Sequence, residues 1–173
     1  MVRKMIHETL PKERIEGLRY LYIVIDSNYN VHYEFDNKGH IVLPVHKTEI
    51  LPWQIYKNLP NNLIRKCESK KKNIVGVLQL WIYYTKDYSF GRIRALGVMD
   101  TFRGNRVKTL LRLVRAMDEF CMYYNIMFVE AATKVIPHRV MERVGFGKEP
   151  QKSQLHRLAQ FIFRQTNYVK RYF

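Results

Sequence analysis

Apolar residues come in short runs along the chain, each closed by charged or turn-forming residues. Tyr20–Asp26 (YLYIVID) is β-branched and aromatic, which predicts a strand. Ser27–Asn30 follows as a turn cluster. Val31–Phe35 then alternates, with Val31, Tyr33 and Phe35 on one face. Asp36-Asn37-Lys38-Gly39 is turn chemistry, and His40–Val45 reads as a returning strand. Thr48–Lys66 reads as helix in pieces, broken near Pro52 and Pro60. Lys70-Lys71-Lys72, with Lys66 just before, is a solvated connector.

Ile74–Tyr84 (IVGVLQLWIYY) is apolar on both faces, as a central strand covered by helices is. Phe90–Met99 predicts the next strand, and a helix runs from about Arg103 to Tyr124. Val107, Leu110, Leu111, Val114, Met117 and Cys121 recur there at 3- and 4-residue spacing and define its buried stripe. Ile126–Ala131 is a short buried strand. Ile136–Val144 is a second helix, stopped by Gly145, and Leu158–Arg164 is a final strand. The order is that of an α/β protein. The β–α–β unit from Phe90 to Ala131 demands a parallel pair with a right-handed crossover.

The chain has 173 residues, 47% of them apolar, which fits one globular domain with a single core. No apolar run reaches the roughly 18–20 residues that span a bilayer, so no membrane role is expected. Met1–Leu10 carries charges and lacks the apolar centre of a signal peptide. Cys67 and Cys121 stand far apart, with no metal-ligand spacing around them, so no metal site is expected. A cytoplasmic compartment follows, of a cell or of a virus-infected cell.

Charge changes the picture more. Thirty lysines and arginines against fifteen aspartates and glutamates give a formal net charge of +15. Such an excess favours polyanionic partners: nucleic acid, an acidic protein surface or a packed virion interior. A basic face for a phosphate-bearing cofactor is the plainer account. Trp53, Trp81 and the tyrosines fall mostly at strand-core spacing, and no RNA-binding or zinc-finger pattern accompanies them.

Two blocks carry a family resemblance. "VMDTFRGNRVKTLL", Val98 to Leu111, resembles the strand end, loop and helix start of GNAT-type N-acetyltransferases. "RVMERVGF", Arg139 to Phe146, resembles the helix end common in members that modify ribosomal proteins and amino termini. Helix, strand and helix separate the blocks as they do in that family. The best-matched core is 74–146, with 1–19 as an N-terminal extension and 152–173 as a C-terminal strand and basic tail. The resemblance implies an α/β (α+β) fold with a mixed central sheet, helices on both faces and a β–α–β–α–β core. GNAT domains usually open strand–helix–helix–strand, whereas two or three strands precede any helix here.

The same resemblance implies an acetyl-CoA-dependent transferase acting on an amine acceptor, a protein or a small molecule. Arg103, Gly104, Asn105, Arg106, Val107 and Lys108 would hold the pyrophosphate at the helix start, where unpaired N–H groups and the helix dipole favour anions. Leu96 and Val98 would hold the pantetheine arm. Arg106 and Lys108 stand where the family has small residues, and two readings remain open. Their charges bind phosphate directly, or their bulk blocks the pocket and leaves a catalytically degenerate, structural or polyanion-binding protein. Met141 stands where many members carry a tyrosine that protonates the leaving thiolate. Glu130, ending the strand Ile126–Ala131, is the candidate general base; a solvated or ion-paired strand-end carboxylate is the plainer account. Tyr83 and Tyr84 offer a hydroxyl, though strand-end tyrosines are commonly packing residues with a wet tip. His138 is a further base candidate, on a helix surface that needs no function to explain it.

Overall fold

The computed structural model describes residues 17–36, 59–69, 74–85, 87, 89–98, 106–133, 138–148 and 166–172. β1 (Gly17–Asp26) and β2 (Val31–Asp36) form an antiparallel hairpin. Its turn is held by Asp26, whose buried carboxylate accepts from the backbone N–H of Asn28 and of Asn30. α1 (Asn61–Ser69) starts directly after Pro60, whose carbonyl accepts from Leu63 and Ile64. Then come β3 (Ile74–Tyr84), β4 (Ser89–Val98), α2 (Arg106–Tyr123), β5 (Phe128–Thr133), α3 (His138–Arg143), β6 (Gly147–Lys148) and β7 (Thr166–Arg171).

The seven described strands join one sheet in the order β2-β1-β3-β4-β5-β7-β6. Among them only β4 and β5 run parallel, as the β–α–β unit requires. The architecture is therefore the expected α+β one, a mixed sheet with helices on both faces. Against α2, the first face presents Leu21, Ile23, Ile25, Leu78, Leu80 and Ile82 to Leu113, Met117 and Phe120. On the second face Tyr22, Val24, Val77 and Ala95 pack under Leu63 and Cys67 of α1. β3 feeds both layers, which is why it is apolar on both sides.

The expected stripe on α2 is only partly right. Met117, Cys121 and Val114 are buried, but Val107 is 68% exposed and Leu111 46%. Thr109, Leu113, Ala116 and Phe120 point inward instead. The helix is rotated so that its first turns lie close over Gly76. A Cβ on Gly76 would stand 2.6 Å from Thr109 Cγ2 and 3.2 Å from Leu113 Cδ1. Gly76→Ala is therefore expected to push the start of α2 off the sheet, at a cost of about 1–3 kcal/mol. Urea unfolding checks this; an unchanged midpoint would show that the helix does not pack this closely.

Two of the described helices end in left-handed caps. Asn125 (φ 56) follows α2, with Ile126 N–H bonded to Cys121 O. Gly145 (φ 92) follows α3, with Phe146 N–H on Met141 O and Gly145 N–H on Glu142 O. These are the paired bonds of the Schellman arrangement, closed by contact between the buried Phe146 and Met141.

At the chain ends the boundaries differ from expectation. Gly17–Arg19 belong to β1 rather than to an extension. The last described strand is Thr166–Arg171, inside the stretch expected to be a basic tail, whereas 158–164 and the strand expected at 40–45 lie outside the described residues. β7 sits between β5 and β6. Its Lys170 is folded inward, with Nζ 2.7 Å from Asp118 Oδ2 and donating also to Val144 O. Tyr172 OH donates to the other carboxylate oxygen of Asp118 at 2.6 Å. A basic residue thus serves as an internal clamp between α2, α3 and β7.

Candidate functional site

β4 and β5 stay paired only from Phe90–Phe128 to Arg92–Glu130. Beyond that point β4 continues to Val98 and β5 to Thr133, with no pairing between them. The cause lies on the other edge of β4. Leu80 opposes Ile93 and Gln79 opposes Ala95, so Arg94 is an extra residue, a β-bulge. A bulge bends its strand and increases its twist. β4 is thereby turned away from β5, and an open fork results. On the β5 side of the fork, β4 presents backbone groups from Ile93 to Val98 that no neighbouring strand engages among the described residues. Leu96 and Val98 lie on this open stretch and are half-buried.

Glu130 stands at the fork itself, the last β5 residue to pair with β4, and is half-buried. Partners in register share a face. Glu130 therefore lies on the second face with Arg92, its β4 partner, and with Phe90 and Phe128, whose rings stack at 5.6 Å. Arg94 adds to this face, its guanidinium 4.2 Å from the ring centre of Trp81. Burial, and then the neighbouring Arg92 charge, lower the pKa of Arg94.

Tyr83 lies on the same face as Glu130, two residues along β3 from Trp81, the register partner of Arg92. It is 41% exposed and packs on Phe90, its register partner. It stands on the closed side of the fork, away from the open stretch Ile93–Val98, and ring packing accounts for it. Tyr84 packs at the margin of the first-face core. Met141, where a hydroxyl would stand by resemblance, is 4% exposed and part of that core.

Of the expected pyrophosphate residues, Arg103, Gly104 and Asn105 lie outside the described residues, as does the side chain of Arg106. Val107 projects outward. Lys108 reaches across to the hairpin turn, its Nζ 4.3 Å from the ring centre of Tyr29. Its ammonium is occupied by an aromatic face, which neither reading of this lysine anticipated.

His138 belongs to a different group. Its Nε2 lies 2.8 Å from Glu142 Oε1, and its Nδ1 is 3.3 Å from Tyr168 OH. The imidazole stacks on Tyr168 and caps the α3 side of β7. Cys121 is no nucleophile: burial pushes its thiol well above the ordinary range. No metal-ligand cluster occurs among the described residues, and none of their helices is long and apolar enough to cross a membrane.

Sequence reasoning missed the bulge at Arg94 and the Arg92–Arg94–Trp81 grouping. The signal for the arginine pair, though not for the bulge, was present as alternation: Arg92 and Arg94 interrupt an otherwise apolar strand two residues apart.

No family profile and no curated protein matches the sequence. Solved structures do. N-acetylglutamate synthase from Neisseria gonorrhoeae, complexed with coenzyme A and N-acetyl-glutamate, is 18% identical over 57% of this chain, with a TM-score of 0.41. This chain spans only 23% of that enzyme. A GNAT family acetyltransferase from Elizabethkingia anophelis with acetyl-CoA bound is 12% identical over 75% of this chain and 96% of its own, with a TM-score of 0.44. Nourseothricin acetyltransferase is 11% identical over 91% of this chain and 87% of its own, with a TM-score of 0.40. Likeness at this level concerns the chain trace alone. The chain is similar in fold to GNAT-type acetyltransferases.

Proposed function

We propose that the protein is an acetyl-CoA-dependent N-acetyltransferase that passes the acetyl group directly to a primary amine. The observation that carries this reading is the fork: a parallel pair opened by a bulge, with an unpaired strand edge leading towards a helix start. An extended amide-bearing arm can bond to the backbone of Leu96 and Val98 as an added strand would. Acetyl-CoA, when bound, supplies an activated thioester. The protein's own part is to align that arm, bring an amine to the fork and accept its proton at the carboxylate of Glu130.

Titration calorimetry with acetyl-CoA tests the reading. Binding in the roughly micromolar to sub-millimolar range is expected. No heat at about millimolar cofactor, a level at which any useful enzyme of this kind is loaded, would sink it.

A second reading, a non-catalytic GNAT-fold protein that binds polyanions, is favoured by two observations. Met141 is core rather than a proton donor, and the formal charge is +15. It predicts salt-dependent retention on heparin or DNA, with elution only at high salt, and no acetyl-CoA binding. Cofactor binding together with elution at low salt would contradict it.

A further inference from the structure

The second face of the sheet beside the fork has an unusual charge pattern. Three guanidiniums share it with one carboxylate: Arg92 and Arg94 on β4, Arg171 on β7, and Glu130 on β5. Arg171 lies over Phe128, its guanidinium 5.6 Å from the ring centre. Arg92 is exposed, and Arg94 is half-buried on Trp81. Among the described residues, none of these three arginines has an ion-pair partner, and Glu130 has none. Trp81 adds an indole Nε1–H that is buried without a hydrogen-bond partner among them. Two like charges held side by side, one of them partly desolvated, are unfavourable unless an anion joins them.

Spacing bears on the anion. Arg92 and Arg94 are alternate residues of a strand, so their stems are about 6–7 Å apart. Two such long side chains can converge on one anion or each take its own, and the second arrangement matches alternate side chains of an extended peptide. The carboxylate of Glu130 narrows the ligand further. A phosphate chain laid across this face would meet Glu130 with like charge, whereas an ammonium would be attracted to it. One carboxylate beside guanidiniums complements one ammonium beside carboxylates.

We propose that this strip is the acceptor subsite, and that the acceptor is a peptide with a free α-amine followed by acidic side chains. The inference rests on the acetyltransferase reading and names its substrate class. The α-ammonium lies at Glu130, at the fork. Acidic side chains two positions apart pair with Arg92 and Arg94. Transfer then balances simply. The α-ammonium first gives one proton to Glu130, which passes it to solvent. The free amine nitrogen then forms the new bond to the acetyl carbon, the carbon–sulfur bond breaks, and the sulfur leaves with that electron pair. The second proton, lost from the nitrogen as the amide forms, goes to Glu130 and from there to the thiolate or solvent.

Binding is measured without cofactor, by calorimetry at low salt, with two eight-residue peptides. They are identical except for Glu or Gln at positions 2 to 4. The acidic peptide is expected to bind about 10-fold more tightly, by charge-assisted bonds that salt weakens. Arg92→Gln and Arg94→Gln, with unchanged urea midpoints, should each remove most of that preference. Capping the amine of the acidic peptide with an acetyl group should weaken it by a similar factor. Equal affinity for the two peptides on the unaltered protein overturns the proposal. So does tighter binding of a short oligothymidylate that depends on the same arginines. The two failures are distinguishable. A protein that acetylates acidic and neutral peptides equally keeps the enzyme reading and loses the subsite. One that prefers the acidic peptide but never binds acetyl-CoA keeps the subsite and loses the enzyme.

Discussion

Phe120→Ala is expected to lower stability by about 3–5 kcal/mol. Phe120 is fully buried on α2 and holds the helix to the outer strand of the hairpin. Its ring lies 6.2 Å from that of Tyr33, 6.1 Å from Phe35 and 4.6 Å from Tyr124. Aromatic pairs of this kind add about 0.5–1.5 kcal/mol each beyond the area they bury. Tyr33 OH also donates to the carbonyl of Ala116, one turn back, so the cavity would open beside a helix–strand bond. With a whole-domain stability of roughly 5–15 kcal/mol, the variant stands near the edge of folding. Urea unfolding measures it, with Phe120→Leu as the control that fills most of the volume. A loss below about 1 kcal/mol for the alanine variant would mean that β2 does not depend on this contact.

That residue also shows where the sequence stops being informative. β3 is legible to the residue, because a strand buried on both faces needs an unbroken apolar run. The stop of α3 is equally plain, since Gly145 supplies the positive φ that its cap needs. The phase of α2 is not plain. Its apolar residues cover a wide arc, and Val107–Leu111–Val114 is as regular a stripe as Leu113–Ala116–Phe120. The choice is made by the partner surface: Gly76 leaves room for Thr109 and Leu113, and the hairpin offers Tyr33 and Phe35 to Phe120.

β7 is hidden for a related reason. Thr166–Arg171 reads as polar, because the partner that makes Lys170 an interior residue is Asp118, far away in sequence. The candidate site divides in the same way. Leu96 and Val98 come from the family resemblance and Glu130 from its place at a strand end, and the three lie around one fork. Tyr83 lies on the closed side of that fork, because antiparallel β3 carries its last residues away from the end where β4 finishes. The bulge at Arg94 is invisible in sequence, since it exists only relative to the register of β3.

Glu130→Gln is expected to lower kcat for amine acetylation by about 10²–10³-fold with little change in acetyl-CoA affinity. The amide keeps the size and one acceptor oxygen of the carboxylate but cannot take the proton. Because Glu130 also faces the acceptor amine, two roles must be separated. A residue that only holds the ammonium raises KM for acceptor when neutralised and leaves kcat near its parent value. A base lowers kcat, and the defect depends on the acceptor. An amine that is already neutral at the assay pH needs less help, so the gap between parent and variant should narrow to about 10-fold or less for such an acceptor. A drop in kcat below about 3-fold on an ordinary peptide amine assigns proton removal to water and leaves Glu130 as a binding group. A full drop that does not narrow with neutral amines points instead to loss of geometry at the fork. Only the combination of a large kcat effect and its partial rescue identifies the carboxylate as the base.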